Sequence, residues 1–301
     1  MSDAQRHLFD LSQYPIEEKQ LQFSPINGPV WTGNKARLIQ RYLRYFTFIT
    51  KHGTYIDVCA GPQEPDHTHT WAAKLVLEAK PHWLRHFVFF EENDTSFGHL
   101  SDMVSAQPKI KGRDIVQKHG DMNRLLPEYL AENPIRDTEA TFCLLDQRTF
   151  ECDWATVKYL ATHKKGGNKI EQFYFLAQKW LDRSVAAITI DKKARMERWW
   201  GTGGWETLIK KPSVERGAFL AERFKNELGY KYAYAFPIFE KPAEQGNGAT
   251  MFYMIHASDH EEAPKLMFRA YRTVVAPLEP IEQLEMELGH LEQTADDAKA
   301  V

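Results

Sequence analysis

Apolar positions along the chain alternate between two rhythms. In "GNKARLIQRYLRYFTFI", Leu38, Ile39, Tyr42, Leu43, Phe46 and Ile49 recur at three- to four-residue spacing, one stripe of an amphipathic helix. "TYIDV" (54–58) is a short, dense apolar run suited to a buried strand. The pair of signals then repeats. "TWAAKLVLEAK" reads as a helix and "RHFVFFEEND" as a second strand, followed by the helix "TSFGHLSDMVSAQ" and the weaker strand "RDIVQKHGD". "MNRLLPEYLAE" reads as a helix despite Pro127, "ATFCLLDQ" as a fourth strand, "DWATVKYLATH" as a helix and "KIEQFYFLA" as a fifth strand.

The last third changes rhythm. "MERWWGTGGWETLI" is rich in aromatics and glycine, and "SVERGAFLAERFKNELG" is a helix stopped by Gly229. "YKYAYAFPIF" and "ATMFYMIHAS" flank the turn-rich "EKPAEQGNG" and read as a β-hairpin. Strands alternating with helices imply a parallel sheet covered on both faces. The expected fold is α/β: a doubly wound, mostly parallel, Rossmann-like sheet with a C-terminal antiparallel β-hairpin. An irregular N-terminal arm (1–30) precedes a single domain (31–278) carrying the aromatic-rich insertion around 191–215. A C-terminal helix and tail (279–301) follow.

Composition narrows the function classes. With 38 basic and 41 acidic residues the formal charge is −3, so any contact with nucleic acid requires a local basic or aromatic patch. Three scattered cysteines, Cys59, Cys143 and Cys152, form no CxxC pair, which argues against a disulfide framework or zinc site and for a reducing, cytoplasmic setting. There is no run of about 18 apolar residues of the kind that spans a membrane.

Four early strands end near an acid: Asp57, Glu91, Asp121 and Asp146. In parallel sheets ligands bind outside the carboxyl ends of strands, so these acids are expected to converge on one edge. Acids also favour helix starts, which is the plain alternative for each. The turn "DVCAGPQ" lacks GxGxxG and keeps only Ala60 and Gly61, small residues that let a ligand approach the backbone. Glu91, or its neighbour Glu92, can accept both hydroxyls of a ribose, and Asp121 can face the exocyclic amine of adenine.

Other residues read two ways. His67, His69, His82 and His86 have metal-ligand spacings but no uniting motif, so no metal site is assigned. Cys59 and Cys143 read as small core residues, and Cys152 as more exposed. Lys164, Lys165 and Lys169 form a basic loop that either meets nucleic-acid phosphates or is solvated. Trp199, Trp200 and Trp205 either line a substrate or partner surface or fold onto the core.

"PVWTGNKARLIQRYL", "YIDVCAGPQ", "FVFFEEN", "GDMN", "LLDQRTFECDW" and "YMIHASDH" occur in this order. Together they resemble the three-Cys-motif partner protein family, over about residues 23–275. The resemblance implies a methyltransferase-like Rossmann fold, S-adenosylmethionine as cofactor, and a partner protein carrying a three-cysteine motif. It implies that Asp57, Ala60 and Gly61 form the cofactor loop, that Glu91 holds the ribose, and that Asp121 with Met122 meets the adenine. Lys35 would lie near the methionine carboxylate.

The fourth strand bears on catalysis. Similar amino-methyltransferases place Asp or Asn, two prolines and an aromatic here; this chain has Asp146, Gln147, Arg148 and, farther on, Phe150. Asp146 and the Gln147 amide are candidate acceptors for a target amine, Arg148 is a candidate donor to a phosphate or carboxylate, and Phe150 with Trp154 a candidate stacking surface for a base. Three readings stay open: a methyltransferase-like enzyme acting on a nucleic-acid base, a non-catalytic partner or scaffold subunit, and a metal-dependent nuclease.

Overall fold

Successive side chains of a strand face opposite sides of its sheet, and here both directions are apolar. Tyr55, Phe87, Phe89, Phe142 and Phe173 point into one buried layer, and Ile56, Val88, Phe90, Cys143 and Tyr174 into another. A sheet hydrophobic on both faces must be covered on both, and it is. The structure, a computed structural model, describes residues 31–62, 65–147, 149–181, 190–239 and 250–275. The expected arm (1–30), the hairpin turn "EKPAEQGNG", Arg148 and the C-terminal helix and tail (279–301) lie outside the described residues.

The strands are β1 (Thr54–Asp57), β2 (His86–Glu91), β3 (Asp114–His119), β4 (Thr141–Leu145), β5 (Glu171–Leu176), β6 (Tyr232–Phe239) and β7 (Thr250–Ser258). They form one sheet in the order β3-β2-β1-β4-β5-β7-β6. The pairings from β3 through β5 are parallel, and β7 runs antiparallel to both β5 and β6. This is the expected doubly wound, mostly parallel fold with a terminal hairpin.

The hairpin enters in an order the sequence did not specify. Its second strand, β7, lies inside the sheet and is buried along most of its length, whereas β6 takes the edge. Pro237 in β6 accounts for this: it has no N–H for a second ladder and is tolerated on an edge strand.

One face is packed by α1 (Trp31–Thr50), α2 (Ala72–Leu77), α3 (Asp94–Ser105) and, at its far end, α9 (Ala263–Val275). The other carries α4 (Met122–Glu132), α5 (Trp154–Thr162), α6 (Ile190–Trp200), α7 (Glu206–Ile209) and α8 (Ser213–Asn226). α8 ends as the sequence indicates, with Gly229 at φ 71°, a backbone state that costs glycine nothing.

The aromatic-rich insertion is structural. Trp199, Trp200 and Trp205 are all buried in the second layer, so of the two readings it is the core that they serve. Arg223 of α8 packs between Trp200 and Trp154. Its guanidinium lies 4.0 Å from the Trp154 ring and 3.7 Å from the Trp200 ring, donates to the Trp200 carbonyl, and forks onto Glu227 at 2.6 and 2.7 Å. Among the described residues no helix is long and apolar enough to cross a membrane.

Candidate functional site: a carboxylate-walled cleft at the strand ends

The chain runs β1, β2, β3 outward to one side and returns to place β4 and β5 on the other, so the switch point lies between β1 and β4. A cleft of about 700 Å³ opens at the carboxyl ends of these strands. Asp57, Glu91, Asp121 and Asp146 all line it, with Lys35, Ala60, Gly61, Met122 and Phe150. The acids are thus gathered in one place. Only Asp121 among the four matches the plain alternative, capping α4 by accepting the Asn123 N–H at 2.9 Å.

Backbone bonds fix the loop after β1. Ala60 N–H donates to the Phe90 carbonyl at 2.9 Å, and the Trp71 indole N–H donates to the Ala60 carbonyl at 2.6 Å. Glu91, buried at the end of β2, then staples two loops together. One carboxylate oxygen accepts the Gly61 N–H and the other the Asn93 N–H, each at 2.9 Å. Glycine at 61 is required by this packing: a Cβ there would sit 2.5 Å from Glu91 Oε2 and 2.6 Å from Ser96 Cβ. A carboxylate has about four acceptor positions, so Glu91 keeps capacity for a hydroxyl, and Glu92 is exposed beside it on the same wall.

Asp57 sits at the bottom, 1% exposed. It accepts the Tyr55 hydroxyl at 3.0 Å and the Cys59 N–H at 3.2 Å. Burial, with the nearby charges of Asp146 and Glu91, pushes its carboxyl up to about 7 against those two stabilising bonds. Lys35, on α1, answers Asp146: its ammonium donates to the carboxylate at 2.6 Å while lying 4.5 Å from the Phe175 ring. The expected cofactor contact of Lys35 therefore competes with an ion pair inside the protein, and an ammonium has three donors to divide.

Gln147 is not brought to the cleft. Its amide N–H donates to the Phe175 carbonyl at 2.9 Å and its oxygen accepts the Cys152 N–H at 3.1 Å, so the acceptor expected of it is engaged in holding the segment after β4. Phe150 lines the cleft but is 6% exposed and packs edge-on against Trp199, with centroids 4.9 Å apart. Trp154 is buried between Phe224 and Arg223. The stacking surface expected of this pair is core.

The cysteine expectation reverses in part. Cys152 is buried, while Cys59 is half-buried and lines the cleft. Burial and the surrounding acids push the Cys59 thiol well up, so it is no thiolate nucleophile. Lys164 donates to the Glu139 carbonyl and Lys169 to Asp259 and the Gly229 carbonyl, so that part of the basic loop is tied to the protein itself. No group of three or more His, Cys, Asp or Glu among the described residues could hold a metal ion.

Several cleft residues escaped the sequence reading. Asn123 accepts the Asp153 N–H at 2.8 Å and the Thr156 hydroxyl at 2.9 Å and donates to the Glu151 carbonyl at 2.7 Å, joining α4 to the loop after β4. Arg195 and Arg198 reach the cleft from α6. Their three-residue spacing on a helix was the available signal, and the glycines and tryptophans that follow hid it.

No protein-family model matches the chain, and a comparison with curated proteins finds no match. Among solved structures the chain is similar to M. jannaschii TYW2 in complex with AdoMet, at 13% identity and TM-score 0.37, covering 82% of this chain and 78% of that one. It is also similar to protein LPL1258 from Legionella pneumophila, of the DUF519 family, at 12% identity and TM-score 0.44, covering 84% and 95%. Likeness at this level leaves activity to be read from the site.

Proposed function

We propose that the protein is an S-adenosylmethionine-dependent, methyltransferase-like enzyme. The observation that carries this is the gathering of Asp57, Glu91, Asp121 and Asp146 from four neighbouring strands around one cleft. A volume of about 700 Å³ lies in the range of roughly 300–1,000 Å³ used by small-molecule sites. The donor set fits the cofactor. Glu91 and Glu92 would hold a ribose, Asp121 and Met122 an adenine edge, and Ala60 and Gly61 line the same cleft.

The charge pattern agrees. Among the described residues Asp57, Glu91, Glu92, Asp94 and Asp121 line the β1–β3 side without a base, which favours a ligand carrying positive charge. A buried Asp57 whose carboxyl is pushed up to about 7 ionises more readily when a cation arrives. When bound, S-adenosylmethionine supplies an already activated methyl group, so the chain's own task is alignment and exclusion of water. Trp71, Ala60 and the Glu91 staple keep that wall rigid.

A second reading has its own support. Asp146 is paired with Lys35 and Gln147 is engaged within the protein, so the segment after β4 offers an amine few free acceptors. That favours a non-catalytic partner or scaffold subunit that keeps the fold and acts through a protein partner, the three-cysteine protein implied by the resemblance. Calorimetric titration with S-adenosylmethionine tests the cofactor assignment of the first reading. Saturable one-to-one binding, weakened at least tenfold in Glu91→Ala, is expected; no binding by wild type, or equal binding by Glu91→Ala, counts against it. Release of labelled methyl groups to a purified acceptor separates enzyme from scaffold.

A further inference from the structure

The two sides of the cleft differ in charge. Among the described residues every base that lines it lies on the β4 side: Lys35, Arg195 and Arg198, against Asp146, Glu151 and Asp153. Lys35 is 3% exposed and committed to Asp146, whereas the side chains of Arg195 and Arg198 are 48% and 60% exposed. The arginines stand three residues apart on α6, so they share one face of the helix. The Arg195 Nε–H donates to the Phe150 carbonyl at 3.1 Å, which lays its guanidinium across the segment after β4.

Their carboxylate contacts are loose. Arg195 is 3.6 Å from Glu151, and Arg198 is 3.6 Å from Asp153, both beyond direct hydrogen-bond length. Glu151 spends its oxygens on Thr149 instead, accepting the backbone N–H at 2.6 Å and the hydroxyl at 2.9 Å. Each guanidinium carries five N–H donors in a planar fork, more than these contacts use. Two exposed, under-committed forks beside the site of chemistry suit an oxyanion with several acceptor atoms.

We propose that Arg195 and Arg198 form an anion-binding fork that receives a phosphate or carboxylate group of the methyl acceptor. This rests on the methyltransferase-like reading of the cleft and names its substrate class: a small molecule bearing a phosphate or carboxylate group. A nucleic-acid strand is disfavoured. Among the described residues eight acids, Asp57, Glu91, Glu92, Asp94, Asp121, Asp146, Glu151 and Asp153, oppose three bases around the cleft, and a polyanion gains affinity only where it neutralises many phosphates. A lone oxyanion needs only the α6 rim.

Calorimetric titrations of the full chain with inorganic phosphate, glutarate and a single-stranded RNA oligonucleotide, each in the presence of saturating S-adenosylmethionine, test the fork. Phosphate or glutarate is expected to bind wild type with at least tenfold higher affinity than Arg195→Gln/Arg198→Gln, and the stronger of the two identifies the group. The cofactor affinity of the double variant stays within twofold of wild type. Should the glutamine variant fold poorly, Arg195→Lys/Arg198→Lys keeps the charge and removes the planar fork, with a three- to tenfold loss expected. Equal anion affinity in wild type and variant, no binding of either small anion, or RNA bound tenfold more tightly than both overturns the proposal. Loss of S-adenosylmethionine binding by wild type would instead strike the cofactor reading, because phosphate and glutarate titrated alone would still report on the arginines.

Discussion

Gly61→Ala is the smallest change that probes the cleft wall. The added methyl would lie 2.5 Å from Glu91 Oε2, 2.9 Å from Glu91 Cδ and 2.6 Å from Ser96 Cβ. These are not contacts that a flexible side-chain tip can yield. Glu91 is buried and held by two backbone N–H groups, and Ser96 is fixed near the start of α3. Relief requires either moving the loop after β1 or breaking the Gly61 N–H bond to Glu91. Overpacking of this kind costs about 1–3 kcal/mol. For a domain of this size each kcal/mol lowers Tm by roughly 2–4 °C. Thermal denaturation followed by circular dichroism reads the stability change. Titration with S-adenosylmethionine should show at least tenfold weaker binding, since the displaced loop and Glu91 together form the proposed cofactor wall. A variant with wild-type Tm and wild-type affinity would refute the claim that Glu91 and Gly61 are locked against each other.

Three further outcomes are expected. Because the Asp57 carboxyl is raised from 3.8 to about 7, the folded state keeps a proton that the unfolded chain has lost between those values. Stability contributed by this group is therefore complete below about pH 4 and falls by about 4 kcal/mol as pH rises through 7. Urea midpoints against pH should show that decline in wild type and a flatter profile in Asp57→Asn. Lys35→Met leaves Asp146 beside Asp57 without its cation and should cost about 3–5 kcal/mol, whereas Lys35→Met/Asp146→Leu should recover much of it; purely additive losses in a denaturant-based double-mutant cycle would deny the coupling. Arg223→Met removes the fork onto Glu227 and the contacts with Trp154 and Trp200, for a loss of roughly 2–4 kcal/mol in chemical denaturation.

The parts of this protein legible in its sequence were those set by local pattern. Runs such as "TYIDV" and "FVFFE" read as strands buried on two faces, each close to an acid, so the sheet and the meeting of Asp57, Glu91, Asp121 and Asp146 were expected. α9 was not expected, although Leu266, Met267, Ala270, Tyr271 and Val274 keep helical spacing and Pro264 sits in the first turn, where its missing N–H costs nothing. What could not be read was how side chains divide their hydrogen bonds. That Gln147 turns to Phe175 and Cys152, that Lys35 pairs with Asp146 and that Glu91 braces Gly61 depend on partners 5 to 111 positions away. The order of β6 and β7 likewise depended on which strand could bear Pro237 at an edge.

A crystal structure of the protein grown with S-adenosylmethionine tests the central claim most directly. The account predicts the ligand over the Ala60–Gly61 backbone, its ribose hydroxyls at Glu91 or Glu92 and its adenine beside Asp121 and Met122. A ligand seated elsewhere, or crystals that exclude it while the cleft stays accessible to solvent, would contradict that prediction.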